Sequence, residues 1–256
     1  MPVERRSGDT ALTEDQDLVA VEEPLQIRIG DRNISVTMRT PGQDSELAAG
    51  FLFTEGILRP GEISKIACIR NTATVTLAPG VELDESLMQR NFYMTSSCGV
   101  CGKASIESIE AAGCQILPRD SRRFDPAIIP TLPDKLRASQ QVFDRTGGLH
   151  ACGLFSASGE LIVVREDIGR HNAVDKLIGR AMLDNKLPLA NHILLVSGRA
   201  SFELVQKAVM AGIPLLAAVG APSSLAVKTA LRFGMTLVGF LRGDRFNIYT
   251  APWRLT

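Results

Sequence analysis

The sequence predicts an α/β protein in which a small N-terminal α+β domain precedes a larger domain with parallel strands. The larger domain is indicated by residues 193–249, where short apolar runs alternate with helical segments through short connections. This β-α-β order produces parallel strands joined by right-handed crossovers. The smaller domain is indicated by residues 25–77, where two pairs of alternating strands enclose one helical segment, as is typical of an α+β unit.

The N-terminal part of the chain divides into a tail and the small domain. Residues 1–17 are polar and mixed in charge, and we expect a disordered tail there. The small domain covers residues 18–91 and contains a helix at 46–54. Glu46 and Glu55 are expected to be solvated or to cap this helix. The predicted strands cover residues 25–29, 34–39, 63–69 and 72–77.

The larger domain covers residues 92–256 and begins with a motif that can carry thiol chemistry. Cys98 and Cys101 lie three positions apart among serines and glycines, before a helix-like run that starts near Ala104. Backbone N–H groups and the dipole at a helix N-terminus favour a thiolate, and Lys103 adds a cation. We therefore expect a lowered pKa at Cys98, which makes it the better nucleophile, with Cys101 as its helper.

Three other interpretations of the cysteine pair stay open. The pair could supply half of a structural zinc site that His150 and Cys152 complete, because such sites need four ligands. It could be a thioredoxin-like dithiol, although no βαβ pattern of that size surrounds it. It could also lie in an ordinary turn, which the neighbouring glycines, serines and lysine disfavour.

The middle of the larger domain places polar side chains between a strand and a helix. An amphipathic stretch at 133–144 is followed by a predicted hairpin at 149–164 and by a polar cluster at 165–172. Open α/β sheets bind ligands where strands end and helices begin, so we expect the cluster to contribute to a site. The alternative is a solvated connection in which Asp167 or Asn172 caps the helix.

Glycine, hydroxyl and arginine groups follow the predicted parallel strands. Ser197 and Arg199 follow the first strand, residues 220–222 follow the second, and residues 241–245 follow the third. Helix N-termini, serine and arginine together favour anions, so the sequence predicts a phosphate-bearing ligand at these strand ends. The sequence contains no complete Walker or G-x-G-x-x-G pattern that would name a nucleotide. His150, in the preceding hairpin, is a candidate proton shuttle.

Length and composition exclude several classes of protein. The chain has 256 residues, zero formal net charge and five cysteines. Nucleic-acid-binding proteins normally carry a basic excess, and an odd number of cysteines does not indicate a disulfide framework. The sequence has no signal-peptide core at its start and no apolar segment long enough to span a bilayer. We therefore expect a cytoplasmic protein that binds neither nucleic acid nor membranes.

A set of motifs occurs together and in a fixed order in the chain. The motifs are Ser-Ser-Cys98-Gly-Val-Cys101-Gly-Lys, Thr-Gly-Gly-Leu-His150-Ala-Cys-Gly, the polar cluster at 165–172, Ser197-Gly-Arg199 and Phe240-Leu-Arg-Gly-Asp-Arg245. In this combination the sequence closely resembles the formate dehydrogenase accessory sulfurtransferases, the FdhD family, from about residue 19 onward. The resemblance implies a three-layer α/β/α fold of the cytidine-deaminase type for the larger domain, and a homodimer.

The resemblance also implies an activity. The protein would take sulfane sulfur from a cysteine desulfurase as a cysteine persulfide and pass it to molybdenum in the bis(molybdopterin guanine dinucleotide) cofactor that formate dehydrogenase needs. Cys98 matches the persulfide cysteine and Cys101 its companion, GDP is the expected mimic of the bound cofactor, and no resident metal is expected. The implied cofactor-binding residues, with their neighbours, are Phe240, Leu241, Arg242, Gly243, Asp244, Arg245, Ser197 and Arg199.

Two alternatives belong to other functional classes. One is a zinc-stabilised binding module, and the other is a chaperone that binds the molybdenum cofactor without moving sulfur. Deaminase chemistry is disfavoured despite the implied fold. Zinc deaminases use an H-x-E element with a following P-C-x-x-C, whereas here His150-Ala-Cys152 lacks the glutamate and follows the cysteine pair.

Overall fold

The computed structural model describes residues 1–6, 13–83, 113–119 and 123–256. The strands are β1 (Pro2–Arg5), β2 (Thr13–Gln16), β3 (Glu23–Ile29), β4 (Arg32–Arg39), β5 (Ile63–Ile69), β6 (Thr72–Leu77), β7 (His150–Ser156), β8 (Leu161–Asp167), β9 (His192–Val196), β10 (Leu215–Ala218), β11 (Thr236–Arg242) and β12 (Arg245–Thr250). The helices are α1 (Asp44–Thr54), α2 (Leu132–Arg137), α3 (Gln141–Thr146), α4 (Arg170–Leu183), α5 (Phe202–Met210) and α6 (Ser224–Arg232), with 3₁₀ turns at Pro126–Thr131 and Pro252–Arg254. None of the helices in these ranges is long and apolar enough to cross a bilayer.

The small domain is a four-stranded sheet covered by α1. Its strand order is β4-β3-β6-β5, with β3 antiparallel to β4 and parallel to β6. The alternating residues Leu25, Ile27 and Ile29 of β3 are buried and pack against Leu47 and Leu52 of α1 in one core. Both predicted strand pairs and the helix between them are present.

The first strands of the chain differ from the expected disordered tail at 1–17. β1 and β2 pair antiparallel, with Pro2 opposite Gln16. The pairing is held by main-chain hydrogen bonds and by the exposed ion pair between Arg5 and Asp15, at 2.7 Å. Exposed polar strands of this kind bury no apolar face, so hydrophobic alternation could not reveal them.

The larger domain is built on a six-stranded sheet with the order β12-β11-β10-β9-β7-β8. Strands β9, β10 and β11 are parallel neighbours, as the sequence predicts. β7 runs antiparallel to both β8 and β9, and β12 runs antiparallel to β11. This arrangement brings the start of β7 to the carboxyl ends of the three parallel strands. The predicted mixed α/β fold is therefore confirmed.

Helical segments cover both faces of this sheet. Side chains of α4, α5 and α6 form one core with one face, which includes Leu194 and Leu216. The opposite face packs Leu195 and Leu215 against the 3₁₀ turn Pro126–Thr131 and α2. The deaminase-like assignment of these layers remains a prediction from the resemblance.

The amphipathic stretch at 133–144 lies in two short helices, α2 and α3. Leu136 of α2 is buried, but Val142 of α3 is 40% exposed. The chain between the helices leaves the helical conformation at Gln140 (φ −86°, ψ 72°). The repeat of apolar residues in the sequence thus continues across a position where the backbone is not helical.

The two domains share α1, which crosses α4 at very short range. A Cβ atom built on Gly50 would lie 1.9 Å from the carbonyl oxygen of Asp175, and one on Gly179 would lie 1.8 Å from that of Glu46. Only glycine permits such contact between helix backbones. On either side of this crossing, Leu47 of α1 belongs to the small-domain core and Ala49 to the large-domain core.

A buried ion pair fixes the C-terminal end of α1 to the larger domain. The ammonium of Lys207 on α5 lies 2.9 Å from the carboxylate of Asp175 on α4 and 3.2 Å from that of Glu55. Thr54 donates to Asp175 over 2.7 Å. Burial alone would lower the pKa of Lys207, but the two carboxylates outweigh it and raise the pKa. The lysine therefore stays charged.

We predict that Gly179→Ala destabilises the protein, although glycine to alanine in a helix interior normally adds about 1 kcal/mol of stability. The new methyl group would meet backbone atoms that cannot rotate away. We expect a loss of about 1–3 kcal/mol, which corresponds to a fall in melting temperature of roughly 3–10 °C for a chain of this size.

Gly148→Ala is the matched control, because its Cβ would meet no heavy atom closer than 3.5 Å. Thermal unfolding followed by circular dichroism compares the two variants with the parent protein. An unchanged or raised melting temperature in Gly179→Ala would show that the crossing can relax without cost.

Candidate functional site

The carboxyl ends of the parallel strands β9, β10 and β11 form one continuous edge in the larger domain, which we call the strand-end edge. The loops that follow β9 and β10 are joined by a hydrogen bond from Gly220 N–H to Gly198 C=O, at 2.9 Å. The next strand joins through Phe240 N–H to Gly220 C=O, at 3.0 Å. The structure thus brings the predicted site residue Phe240 to the same edge as Ser197 and Arg199, which lie far from it in the sequence.

The predicted cofactor-binding segment forms the end of β11, a tight turn and the start of β12. Phe240 has a positive φ of 54° at a register shift of β11 and is 43% exposed. A left-handed backbone is uncommon for an aromatic residue and often marks a functional site. Leu241 is buried in the core, so its side chain is unavailable to a ligand. The side chains of Arg242, Asp244 and Arg245 are exposed, as is Gly243 at φ 56°.

Ser197 and Arg199 have different environments. The hydroxyl of Ser197 accepts a hydrogen bond from Ala151 N–H at 3.0 Å, which ties the β9 end to β7. Arg199 is exposed, and its backbone packs against Gly220, where a Cβ would lie 3.1 Å from the Arg199 Cα. Arg199 is therefore the residue of this pair whose side chain can meet an anion.

His150 lies at the same edge, at the start of β7. Its imidazole packs over Gly198, where a Cβ would lie 3.4 Å from Nδ1. Burial and then the positive charges of Arg170 and His171 lower the pKa of His150, and Asp167 only partly opposes them. His150 is thus neutral at physiological pH and able to accept a proton.

A cleft of about 620 Å³ lies between this edge and the helices α2 and α3. Its size suits a small organic ligand. Its floor includes His150, Ser197 and Gly198, and Phe143 forms part of its wall. The remaining lining residues are Pro133, Asp134, Leu136, Arg137, Gln140, Gly147, Gly148, Leu149 and Val219.

The polar cluster at 165–172 mostly fastens the two domains together. Arg165 pairs with the carboxylate of Glu46 through contacts of 2.5 and 2.8 Å. Asp167 is fully buried, bonds Lys176 at 2.8 Å, and accepts from the N–H of Gly169 at the start of α4 at 2.8 Å. Asp167 is thus a buried partner of Lys176 and not a solvated cap, because Gly169 is the N-cap residue of α4 and no side chain caps this helix.

The acidic residues of α1 correct a further expectation. We expected Glu46 and Glu55 to be solvated or to cap the helix, but Glu46 is buried against Arg165 and Glu55 pairs with Lys207. Their partners lie more than 100 positions away in the chain. Local helix chemistry cannot reveal a partner at that separation.

Within the polar cluster at 165–172, Arg170 and His171 lie toward the strand-end edge and not toward the small domain. The Nε atom of Arg170 is buried and has no hydrogen-bond partner within the described residues. His171 Nε2 lies 3.3 Å from the Ser201 hydroxyl and 3.8 Å from the carboxylate of Glu203. Burial alone would raise the pKa of Glu203, but hydrogen bonds from these two side chains lower it. The carboxylate therefore stays ionised beside His171.

The described cysteines argue against the zinc interpretation. Cys152 is fully buried, and its thiol donates to the carbonyl oxygen of Ala173 at 3.0 Å. Burial raises its pKa far above the ordinary value, whereas zinc binds the thiolate. The ligand set that included His150 and Cys152 thus loses a member. Cys98 and Cys101 lie outside the described residues.

We predict that anion binding at this edge is linked to protonation of His150. An anion that neutralises the charges of Arg170 and His171 removes part of what lowers the pKa of His150. Binding of sulfate, which does not titrate in this range, should therefore take up a fraction of a proton at pH 6.5, and the uptake should shrink at pH 8, where the neutral imidazole prevails in both states.

Calorimetry in buffers of different ionisation enthalpy measures this uptake. His150→Gln should remove it, whereas His192→Gln should keep it, because His192 begins β9 at the opposite end of the strand. Equal uptake in both variants would contradict the assignment to His150.

Comparison with a solved structure supports the fold. A crystal structure of a candidate formate dehydrogenase accessory protein from Desulfotalea psychrophila has a TM-score of 0.79, with 29% sequence identity. The match covers 100% of this chain and 99% of that one.

Comparisons of sequence identify the family. A protein of Streptomyces avermitilis named sulfur carrier protein FdhD is 52% identical over 98% of this chain and 93% of its own length. A protein of the same name from Mycolicibacterium paratuberculosis is 52% identical over the whole of both chains. The profile of the FdhD/NarQ family matches residues 20–256. The chain therefore belongs to the FdhD/NarQ family.

Proposed function

We propose that this protein is a sulfur carrier that serves formate dehydrogenase. It accepts sulfane sulfur from a cysteine desulfurase as a persulfide on Cys98. It then passes the sulfur to molybdenum in bis(molybdopterin guanine dinucleotide), which is the substrate that receives it. The observation that carries the proposal is full-length similarity, at 52% identity, to proteins named sulfur carrier protein FdhD. The strand-end edge supports it with anion-binding chemistry.

The transfer requires a nucleophilic thiolate. The Cys98 thiolate attacks the outer sulfur of the donor's persulfide, the donor's S–S bond breaks, and the donor cysteine leaves as a thiolate. Transfer onward breaks the new S–S bond and returns Cys98 to the thiolate, while the acceptor supplies the electron pair for its bond to sulfur. The sequence predicts a helix after Cys98 and carries Lys103 close by, and a cysteine before a helix N-terminus and near a cation has the chemistry for this role.

The strand-end edge supplies groups that suit the phosphates of the acceptor. Three exposed cations lie along this edge of the sheet: Arg199 follows β9, Arg242 ends β11 and Arg245 begins β12. Arginine binds phosphate through paired charge-assisted hydrogen bonds. The N-terminus of α5 follows the β9 end and that of α6 follows the β10 end, and helix N-termini add further donors. GDP is the natural probe of this surface.

We predict that Cys98→Ala abolishes sulfur loading and that Cys101→Ala retains at least part of it, because only Cys98 carries the persulfide. The measurement is mass spectrometry of the protein after incubation with a cysteine desulfurase and cysteine, which locates a mass increase of one sulfur atom. Cys68→Ala is the control, since Cys68 is an accessible cysteine on β5 whose pKa is raised by partial desolvation and by the charge of Asp44.

Labelled sulfur on Cys101 alone would reverse the assignment of the two cysteines. Sulfur on neither would refute the carrier mechanism. If Cys98→Ala still supports maturation of formate dehydrogenase, the protein acts as a cofactor-binding chaperone and not as a carrier.

We predict that Arg242→Ala and Arg245→Ala each weaken GDP binding, because each removes a charged donor from phosphate. A hydrogen bond to a charged group contributes about 1.5–3 kcal/mol, so the dissociation constant should rise on the order of tenfold or more. Calorimetry with GDP measures the change, and Lys65→Ala on the exposed strand β5 is the control. Unchanged affinity in both arginine variants would remove this turn from the site.

A further inference from the structure

The helix α3 is held to the rest of the protein by few contacts. None of its six residues is buried, and Val142 is 40% exposed. A segment with little buried apolar surface opens at low cost, well below the free energy of global unfolding. The helix therefore depends on specific polar attachments for its position.

Besides an exposed ion pair between Asp144 and Arg137 of α2, which contributes little in water, the polar attachment of α3 is the carboxylate of Glu166. Its two oxygens accept hydrogen bonds from the first free N–H groups of α3, those of Val142 at 3.1 Å and Phe143 at 2.9 Å. The first N–H groups of any α-helix have no acceptor within the helix, and the carboxylate also lies at the positive end of the helix dipole. Glu166 thus satisfies two donors with one side chain.

Glu166 is itself held in a fixed position by its neighbours on β8. Successive side chains of a strand point to opposite faces. Arg165 and Asp167 point toward α1 and α4, where they pair with Glu46 and Lys176. Glu166 therefore projects to the other face from a strand that is anchored on both sides of it.

The α3 helix forms a wall of the cleft at the strand-end edge. Phe143 lines the cleft, and the guanidinium of Arg137 stacks on its ring at 4.8 Å. The helix ends at Gly147, which has a φ of 66°, and Gly148 follows. The buried residue Gln140 precedes it outside the helical conformation. Both ends of α3 can therefore act as hinges.

We propose that α3 is a hinged flap over the cleft and that Glu166 is the positioning residue that latches it closed. With the latch made, Phe143 closes the wall above His150, Ser197 and Gly198. With the latch broken, α3 moves away and opens the cleft. The identity of the ligand that enters rests on the function proposed above, but the flap and its latch do not.

The first experiment tests the flap in the protein without ligand. Glu166→Ala removes both acceptors, and Glu166→Gln keeps one oxygen but loses the charge. Hydrogen exchange of the amides in 142–147 should accelerate about tenfold or more in Glu166→Ala and by a smaller factor in Glu166→Gln, since charged acceptors contribute more than neutral ones. Glu160→Ala, which removes an exposed carboxylate from the other end of the same hairpin, should leave exchange unchanged.

A fluorescence reporter gives an independent measurement of the same motion. The chain has one tryptophan, Trp253, so Phe143→Trp combined with Trp253→Phe places a single reporter on the flap. Its emission should shift to the red when Glu166→Ala is added, because the indole leaves the cleft for water. Exchange rates and emission equal to those of the parent would overturn the proposal, even if Glu166→Ala lowered the melting temperature.

The ligand experiment separates the flap from the proposed function. In stopped-flow measurements with GDP, Glu166→Ala should accelerate dissociation about tenfold and association by a smaller factor. Unchanged rates in a variant whose exchange is faster would show that α3 moves without controlling the cleft, which overturns the gating role. If GDP does not bind the parent protein at all, the cofactor assignment fails, and exchange and emission still decide whether Glu166 holds the flap.

Discussion

The contact between the backbones of α1 and α4 is the constraint on which the rest of the structure depends. Because Gly50 and Gly179 allow the helix axes to approach so closely, α1 contributes side chains to the cores of both domains. The same approach brings the start of α4 to the end of β4, where Asn172 donates to the carbonyl oxygen of Met38 at 2.7 Å. The small domain is therefore the support on which the strand-end edge is built.

Buried charges make this junction specific. Lys176 is fully buried, lies 2.8 Å from Asp167 and donates to the carbonyl oxygen of Thr40. Lys207 and Asp175 form a second pair at the other end of α1. Buried ion pairs add little net stability, but removing one partner leaves an uncompensated charge and costs about 3–5 kcal/mol. Both pairs lie within the larger domain, and each also bonds a residue that flanks or ends α1: Thr40 at one end, and Thr54 and Glu55 at the other. A shifted register of α1 would break these bonds.

The sequence predicts the elements of this fold better than it predicts their junctions. Alternating and continuous apolar runs correctly locate the hairpins and the parallel strands β9, β10 and β11, and helix start and stop signals locate α1. The sequence does not predict the polar strands β1 and β2, because they bury no apolar side chains. It does not predict the interruption at Gln140, because the apolar repeat continues through that position. Glu46 and Asp167 carry the same uncertainty: a charged residue beside a helix end can face water or a distant partner, and only the tertiary structure decides.

The topology explains why groups from distant motifs meet at one edge. A parallel sheet collects the loops that follow its strands at a single edge, and the antiparallel strand β7 adds its first residue, His150, to that same edge. Strand β8 ends beside His150, and its successive side chains point to opposite faces of the sheet. Arg165 and Asp167 hold the two domains together on one face, and Glu166 contacts α3 on the other. The edge therefore combines exposed arginines with the half-buried, neutral imidazole of His150. A site with this layering attracts an anion at its surface and keeps a proton acceptor beneath it, out of bulk water.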